Sequence, residues 1–189
     1  MNTLYIEHFF YSAALAVIIG MVFFRYTGRD PSWIIIAVSF VPDIDLVLQK
    51  LPKMVGDSLP SIINHGGFHT ILFLVMFSLG CALIFSSLGI RLSDALICSF
   101  IGISAHLFED ALIAKPAYAF FWPLITQKYG IGIMKETGNF FAIGNTEVIG
   151  IGLALLFMAI VIRTFIEGPG WWKVFLEGGL TRPAPSGNP

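Results

Sequence analysis

Charge is almost wholly excluded from five long apolar stretches of this chain, and that exclusion decides what it can fold into. The stretches cover about 7–24, 33–48, 68–87, 92–113 and 147–162. Most approach the ~20 apolar residues an α-helix needs to cross the hydrocarbon core of a bilayer. Only 12% of the residues are charged and 56% are hydrophobic, whereas a soluble domain carries about a quarter charged. The expectation is an all-α, polytopic membrane bundle of about five transmembrane helices. A single domain spans 1–168, and 169–189 forms a short interfacial helix carrying Trp171 and Trp172 with a flexible Pro-rich tail.

Several classes fall away on the same reading. A net charge of −1 with no basic stripe leaves no nucleic-acid surface. Cys81 and Cys98 lie inside apolar stretches and read as packing residues rather than a disulfide or thiolate metal site. Glu7 and His8 precede the first stretch where a signal peptide would be basic, so that stretch is expected to stay as a membrane helix. Tyr118 to Leu124 is aromatic but too short to span, and belongs in the interface.

The ionisable residues are few and not scattered. His106 and Asp110 stand four apart near the end of the fourth stretch, so on a helix they project from one face and can share a divalent cation. Alone, that spacing is equally a surfacing helix end with a local hydrogen bond. Alternation of helix direction changes the balance. It brings His8, Asp43/Asp45, His65/His69, His106/Asp110 and Glu147 to one end of the bundle, and Arg25, Arg29, Asp30, Arg91 and Asp94 to the other. All four histidines share that first end, and imidazoles with carboxylates are the ligand set of zinc and related divalent ions. His8 is alternatively an interfacial residue, and Glu147 a carboxylate suited to a helix N-terminus. Asp43 and Asp45 can face one ion only if Pro42 breaks the helix. Asp43 is then the favoured ligand, with Asp45 a second ligand or an orienting group. Asp45 or Glu109 is the candidate general base.

These residues, taken in order, resemble a known family. Glu7-His8, Val41-Pro42-Asp43-Ile44-Asp45, His65-Gly66-Gly67-Phe68-His69-Thr70, His106-x-x-x-Asp110 and Phe121-Trp122-Pro123 are similar to the motifs of the YdjM-like predicted membrane-bound metal-dependent hydrolases, over roughly 7–150. The family usually carries His-Arg-Gly-Phe-Thr-His-Ser. Here the two histidines are one residue closer and Gly66 replaces the Arg; His69-Thr70 matches the family's second His and hydroxyl, which leaves the role of His65 open. The family is in turn similar to secreted zinc-dependent phospholipases C and single-strand nucleases, whose ligand order His8, Asp43, His69, His106, Asp110 and Glu147 follow. The resemblance implies phosphoester hydrolysis with two or more divalent ions, zinc first among them.

A site at the membrane surface would take a membrane lipid or lipid-linked phosphoester, with the helix N-termini favouring an anion; Lys115 or Lys128 would neutralise its headgroup or, the favoured reading, are ordinary interfacial lysines. The rival class is a non-catalytic metal-binding or metal-transporting membrane protein. A transporter would place its ligands near the midplane on broken helices with internal repeats, and no repeat is present. The balance of Arg25, Arg29, Arg91, Arg163, Lys173 and Arg182 against Lys50, Lys53, Lys115, Lys128 and Lys135 leans towards a cytoplasmic C-terminus and an extracytoplasmic site in the cell membrane.

Overall fold

A computed structural model of the protein describes residues 7–48, 66–113, 117–133 and 146–176. His65, Lys50, Lys53, Lys115, Lys135 and the tail from 177 lie outside the described residues. The described chain is helical: α1 (Glu7–Thr27), α2 (Trp33–Val38), α3 (Ile44–Leu48), α4 (Ile71–Ser87), α5 (Leu92–Ile113), α6 (Thr146–Glu167) and α7 (Trp171–Leu176). No β-strand occurs among the described residues beyond an isolated Tyr118–Tyr129 bridge. Helix α1 packs most extensively on α6, α4 on α5, and α2 lies between α1 and α5.

Among the described residues, three helices are long and apolar enough to cross a membrane: His8–Thr27, Leu92–Ile113 and Thr146–Glu167. Helix α4 is equally apolar but has 17 residues. The expected count of about five is not reached among the described residues, and the main difference concerns the second stretch. Helices α2 and α3 have six and five residues, and six residues rise only ~9 Å. Pro42 supplies no backbone donor, and the chain passes from Val38 to Ile44 through turns, with Val41 N–H donating to Val38 O at 3.0 Å and Ile44 N–H to Val41 O at 3.2 Å.

The stretch nevertheless runs the length of the bundle. Asp30, at its start, pairs with Arg163 late in α6, and Asp43 near its end reaches His69 and His106. Chain direction therefore alternates as expected, without a full helix doing it.

Ile34, Ile35 and Val38 are buried against Ala95, Cys98, Ile103 and Leu107 of α5. The close approach depends on Gly102, where an added Cβ would lie 2.5 Å from Val38 Cγ2 and 2.7 Å from the Ile35 carbonyl oxygen. Because one clashing atom is backbone, relief requires moving α2. Gly102→Ala should therefore lower stability by about 1–3 kcal/mol, as overpacking does, read as a lower melting temperature in detergent. An unchanged melt would show that α2 shifts freely against α5. The outer faces of α4 and α6 show the opposite character, with Val75, Met76, Leu83 and Ile84 on one and Phe157, Met158 and Val161 on the other all exposed. Such a surface suits lipid, not water.

The end remote from the histidines is closed by ion pairs. Arg29 Nε donates to Asp94 Oδ2 at 2.8 Å. Arg163, expected as a loop charge, is instead fully buried. It donates to Asp30 Oδ2 at 2.7 Å, to Glu167 Oε2 at 2.8 Å and to Val17 O at 3.2 Å. Its guanidinium lies 4.6 Å from the Trp171 ring centroid. An Arg has donors enough to satisfy all these partners at once.

Candidate metal centre

Each site residue is placed by a local feature of the chain. His8 stands in the first turn of α1, and the break between α2 and α3 turns both Asp43 and Asp45 inward, where they are buried. His69 directly precedes Thr70, which caps α4 by accepting from Phe73 N–H at 3.2 Å, so the start of the helix sets the position of the imidazole. His106 and Asp110 project from one face of α5, as their spacing requires.

Four ligand-type atoms converge. His69 Nε2 and His106 Nε2 are 3.2 Å apart. Asp43 Oδ1 is 3.5 Å from the first and 3.7 Å from the second. Asp110 Oδ2 is 3.3 Å from His69 Nε2 and 3.4 Å from His106 Nε2. Ligands at ~2.0–2.1 Å from a tetrahedral zinc ion stand about 3.3–3.4 Å from one another. These five separations fall around that value.

The other oxygen of Asp110, Oδ1, faces His8 Nε2 at 3.8 Å, and the His8 ring lies over His106 with centroids 4.1 Å apart. The ligand atoms thus form two overlapping groups, Asp43–His69–His106 and His8–His106–Asp110.

The donor chemistry fits divalent ions. Asp43 Oδ2, His106 Nδ1 and Asp110 Oδ2 are buried without a hydrogen-bond partner among the described residues, although buried polar atoms are almost always paired. Asp43, Asp45 and Glu109 are buried carboxylates beside a largely buried Asp110. Such a concentration of negative charge calls for cations.

Around the ligands stand groups that hold them. His8 Nδ1 is 2.9 Å from Glu109 Oε2, so Nδ1–H donates to the carboxylate and Nε2 is left facing Asp110. This arrangement fixes the tautomer of metal-ligating histidines. Asp45 Oδ2 accepts from Gly66 N–H at 2.8 Å and lies 3.8 Å from His69 Nδ1, on the side away from Asp43. Asp45 thus stands beside the second ring nitrogen of His69 and belongs to neither ligand group. Tyr118 stacks on His69 with centroids 4.2 Å apart and planes at 33°. Gly66, at φ +95°, makes room for that ring, since a Cβ there would lie 2.6 Å from Tyr118 Cδ1.

Seven of the sequence candidates, His8, Asp43, Asp45, His69, His106, Glu109 and Asp110, come together. Glu147 does not: it is exposed at the start of α6 and belongs to neither group. His65 lies outside the described residues. Lys128 is exposed. Sequence reasoning missed Tyr118 as a neighbour of the site. Its only signal was its place at the head of the aromatic segment.

In one comparison with known proteins, the profile of the YdjM inner membrane protein family aligns with residues 1–170. The chain belongs to that family. No curated protein matches it in sequence, and no solved structure matches it. Membership makes this YdjM-family chain an inner membrane protein, in agreement with its spanning helices. The family's name carries no chemistry, so the reading of the site rests on its geometry.

Proposed function

We propose that this YdjM-family protein is a metal-dependent hydrolase that cleaves a phosphoester of a lipid or lipid-linked substrate. The observation that carries the reading is the convergence on His69 Nε2 and His106 Nε2, 3.2 Å apart, of Asp43 Oδ1 at 3.5 and 3.7 Å and Asp110 Oδ2 at 3.3 and 3.4 Å. Asp43, His69 and His106 would hold one divalent ion, with zinc suited to the N/O donor set. His8 and Asp110 Oδ1 would hold a second, with fewer protein ligands and so room for water and substrate. Bound divalent ions supply a water acidified towards neutral pH and positive charge for the oxygens of a phosphoester.

The chain's own residues do the rest. Glu109 orients His8 through Oε2, while its Oε1 is buried without a partner among the described residues and is the atom available to take a proton from the attacking water. Asp45 ties the Gly66 turn to the site, and Tyr118 fixes the plane of His69. The carrier reading is less well supported. The ligands stand at helix ends, where a transporter would use the midplane.

Metal analysis of detergent-purified protein, with hydrolysis of bis-p-nitrophenyl phosphate, tests the proposal. Wild type should carry divalent metal and hydrolyse the diester. Glu109→Gln should keep its metal, because the amide oxygen still accepts from His8, and lose about 10²–10⁴ in kcat. Wild-type protein free of divalent metal after expression in zinc-supplemented medium would sink the assignment. Arg25, Arg29 and Arg91 in short connections at the end remote from the site support an orientation with that end in the cytoplasm and the site outside it. A phosphatase reporter fused after Pro189 should then be inactive, and periplasmic activity would reverse the orientation.

A further inference from the structure

An apolar groove of about 370 Å³ runs along the outside of the bundle between α4 and α5, within the ~300–1,000 Å³ of small-ligand sites. Ile71 and Leu74 form one wall, Phe100, Ser104 and Phe108 the other, and Phe120 with Phe121 closes the end nearest the metal centre. Phe108, Phe100 and Ile71 are 55%, 46% and 45% exposed, so the groove opens to the surroundings of the bundle.

Its position relative to the site is fixed by one short segment. Tyr118 lies on His69, and two residues later Phe120 and Phe121 line the groove. Extended chain covers at most ~3.6 Å per residue, so groove and site are separated by about 10 Å or less along this segment. The same segment is tied to both ligand-bearing helices. Ile71 N–H donates to Phe120 O at 2.8 Å, and Ile131 N–H to Ala111 O at 2.6 Å. Beyond Phe121 the turn exposes Leu124 and Ile125 at 91% and 44%, an apolar tip that water does not favour and a bilayer interface does.

We propose that this groove binds an acyl chain of the substrate while its phosphoester lies at the metal centre, so that the substrate is an acylated membrane lipid. The inference rests on the hydrolase reading for the chemistry, but the groove is a feature of its own. Ser104 is its polar exception and is half-buried. On α5 it points away from His106 and Asp110, so a side chain enlarged there fills the groove without touching a ligand.

The test compares wild type with Ser104→Trp, and with Val161→Trp on the exposed face of α6 as a control. Two phosphatidylglycerols with the same headgroup, dioleoyl and dibutyryl, are offered in mixed micelles, and lipid retained by each purified protein is weighed by native mass spectrometry. Ser104→Trp is expected to lose at least tenfold in kcat/KM on the dioleoyl lipid and little on the dibutyryl lipid, with metal content unchanged. It should also retain less lipid than Val161→Trp. Equal losses on both lipids, no loss on either, or unchanged lipid retention would overturn the groove assignment. Should wild type hydrolyse neither these lipids nor bis-p-nitrophenyl phosphate, the hydrolase reading fails, and the retention comparison alone still decides whether the groove holds an acyl chain.

Discussion

His106→Ala is expected to purify without its metal. His106 Nε2 stands within 3.2–3.7 Å of ligand atoms of His69, Asp43 and Asp110, and the residue belongs to both ligand groups. Its loss therefore removes a shared ligand, and occupancy should fall to near background. Stability should fall as well. A metal present at ~1,000 times its Kd contributes about 4 kcal/mol through binding the folded state alone.

The pair His106 and Asp110 should not behave additively, because Asp110→Ala has little left to remove once the site is empty. It should even recover part of the lost melting temperature, since one of several crowded carboxylates disappears. A helix end that merely surfaced with a local His–Asp hydrogen bond would predict instead two small and additive losses of about 0.5–1.5 kcal/mol each. Metal stoichiometry and melting across the double-mutant cycle separate the two. Full occupancy in His106→Ala would refute the metal centre.

Arg163→Met should be among the most destabilising changes at the opposite end. It removes the cation that faces Asp30, which is completely buried, and Glu167, which is nearly so. Uncompensated buried charge costs about 3–5 kcal/mol. Asp30→Asn should cost less, because Arg163 keeps Glu167 and the Val17 carbonyl. The double variant should be more stable than Arg163→Met, since replacing both members removes the unpaired charge. Chemical denaturation in detergent reads the series. Three equal and small effects would mean that water reaches the pair.

Much of this architecture is legible in the apolar stretches. A 22-residue α5 over Leu92–Ile113 follows directly from length and hydropathy, because in lipid a helix is the conformation that satisfies its own backbone. The grouping of His8, Asp43, His69, His106 and Asp110 is also legible, because alternation of direction determines which helix ends meet. The second stretch misleads for a specific reason. Its composition suits a crossing, but Pro42 and the two acids make a continuous helix unfavourable, and the chain covers the distance with short helices and turns.

What only the tertiary structure decides is pairing across long separations. Glu109 reaches His8 across 101 residues, and Arg163 reaches Asp30 across 133. Neither contact leaves a local pattern in the chain. Helical periodicity says which face a side chain takes, but which neighbour it meets there depends on how α1, α5 and α6 pack. Glu147 illustrates the limit: its place at the start of α6 puts it at the expected end of the bundle, yet its side chain is exposed there and outside both ligand groups. Sequence determined the end of the bundle at which each ionisable residue lies, because helix length and direction are local properties. Packing decided which of them are within a metal–ligand distance of one another, because that depends on helix rotation and separation, to which an apolar surface in lipid is largely indifferent.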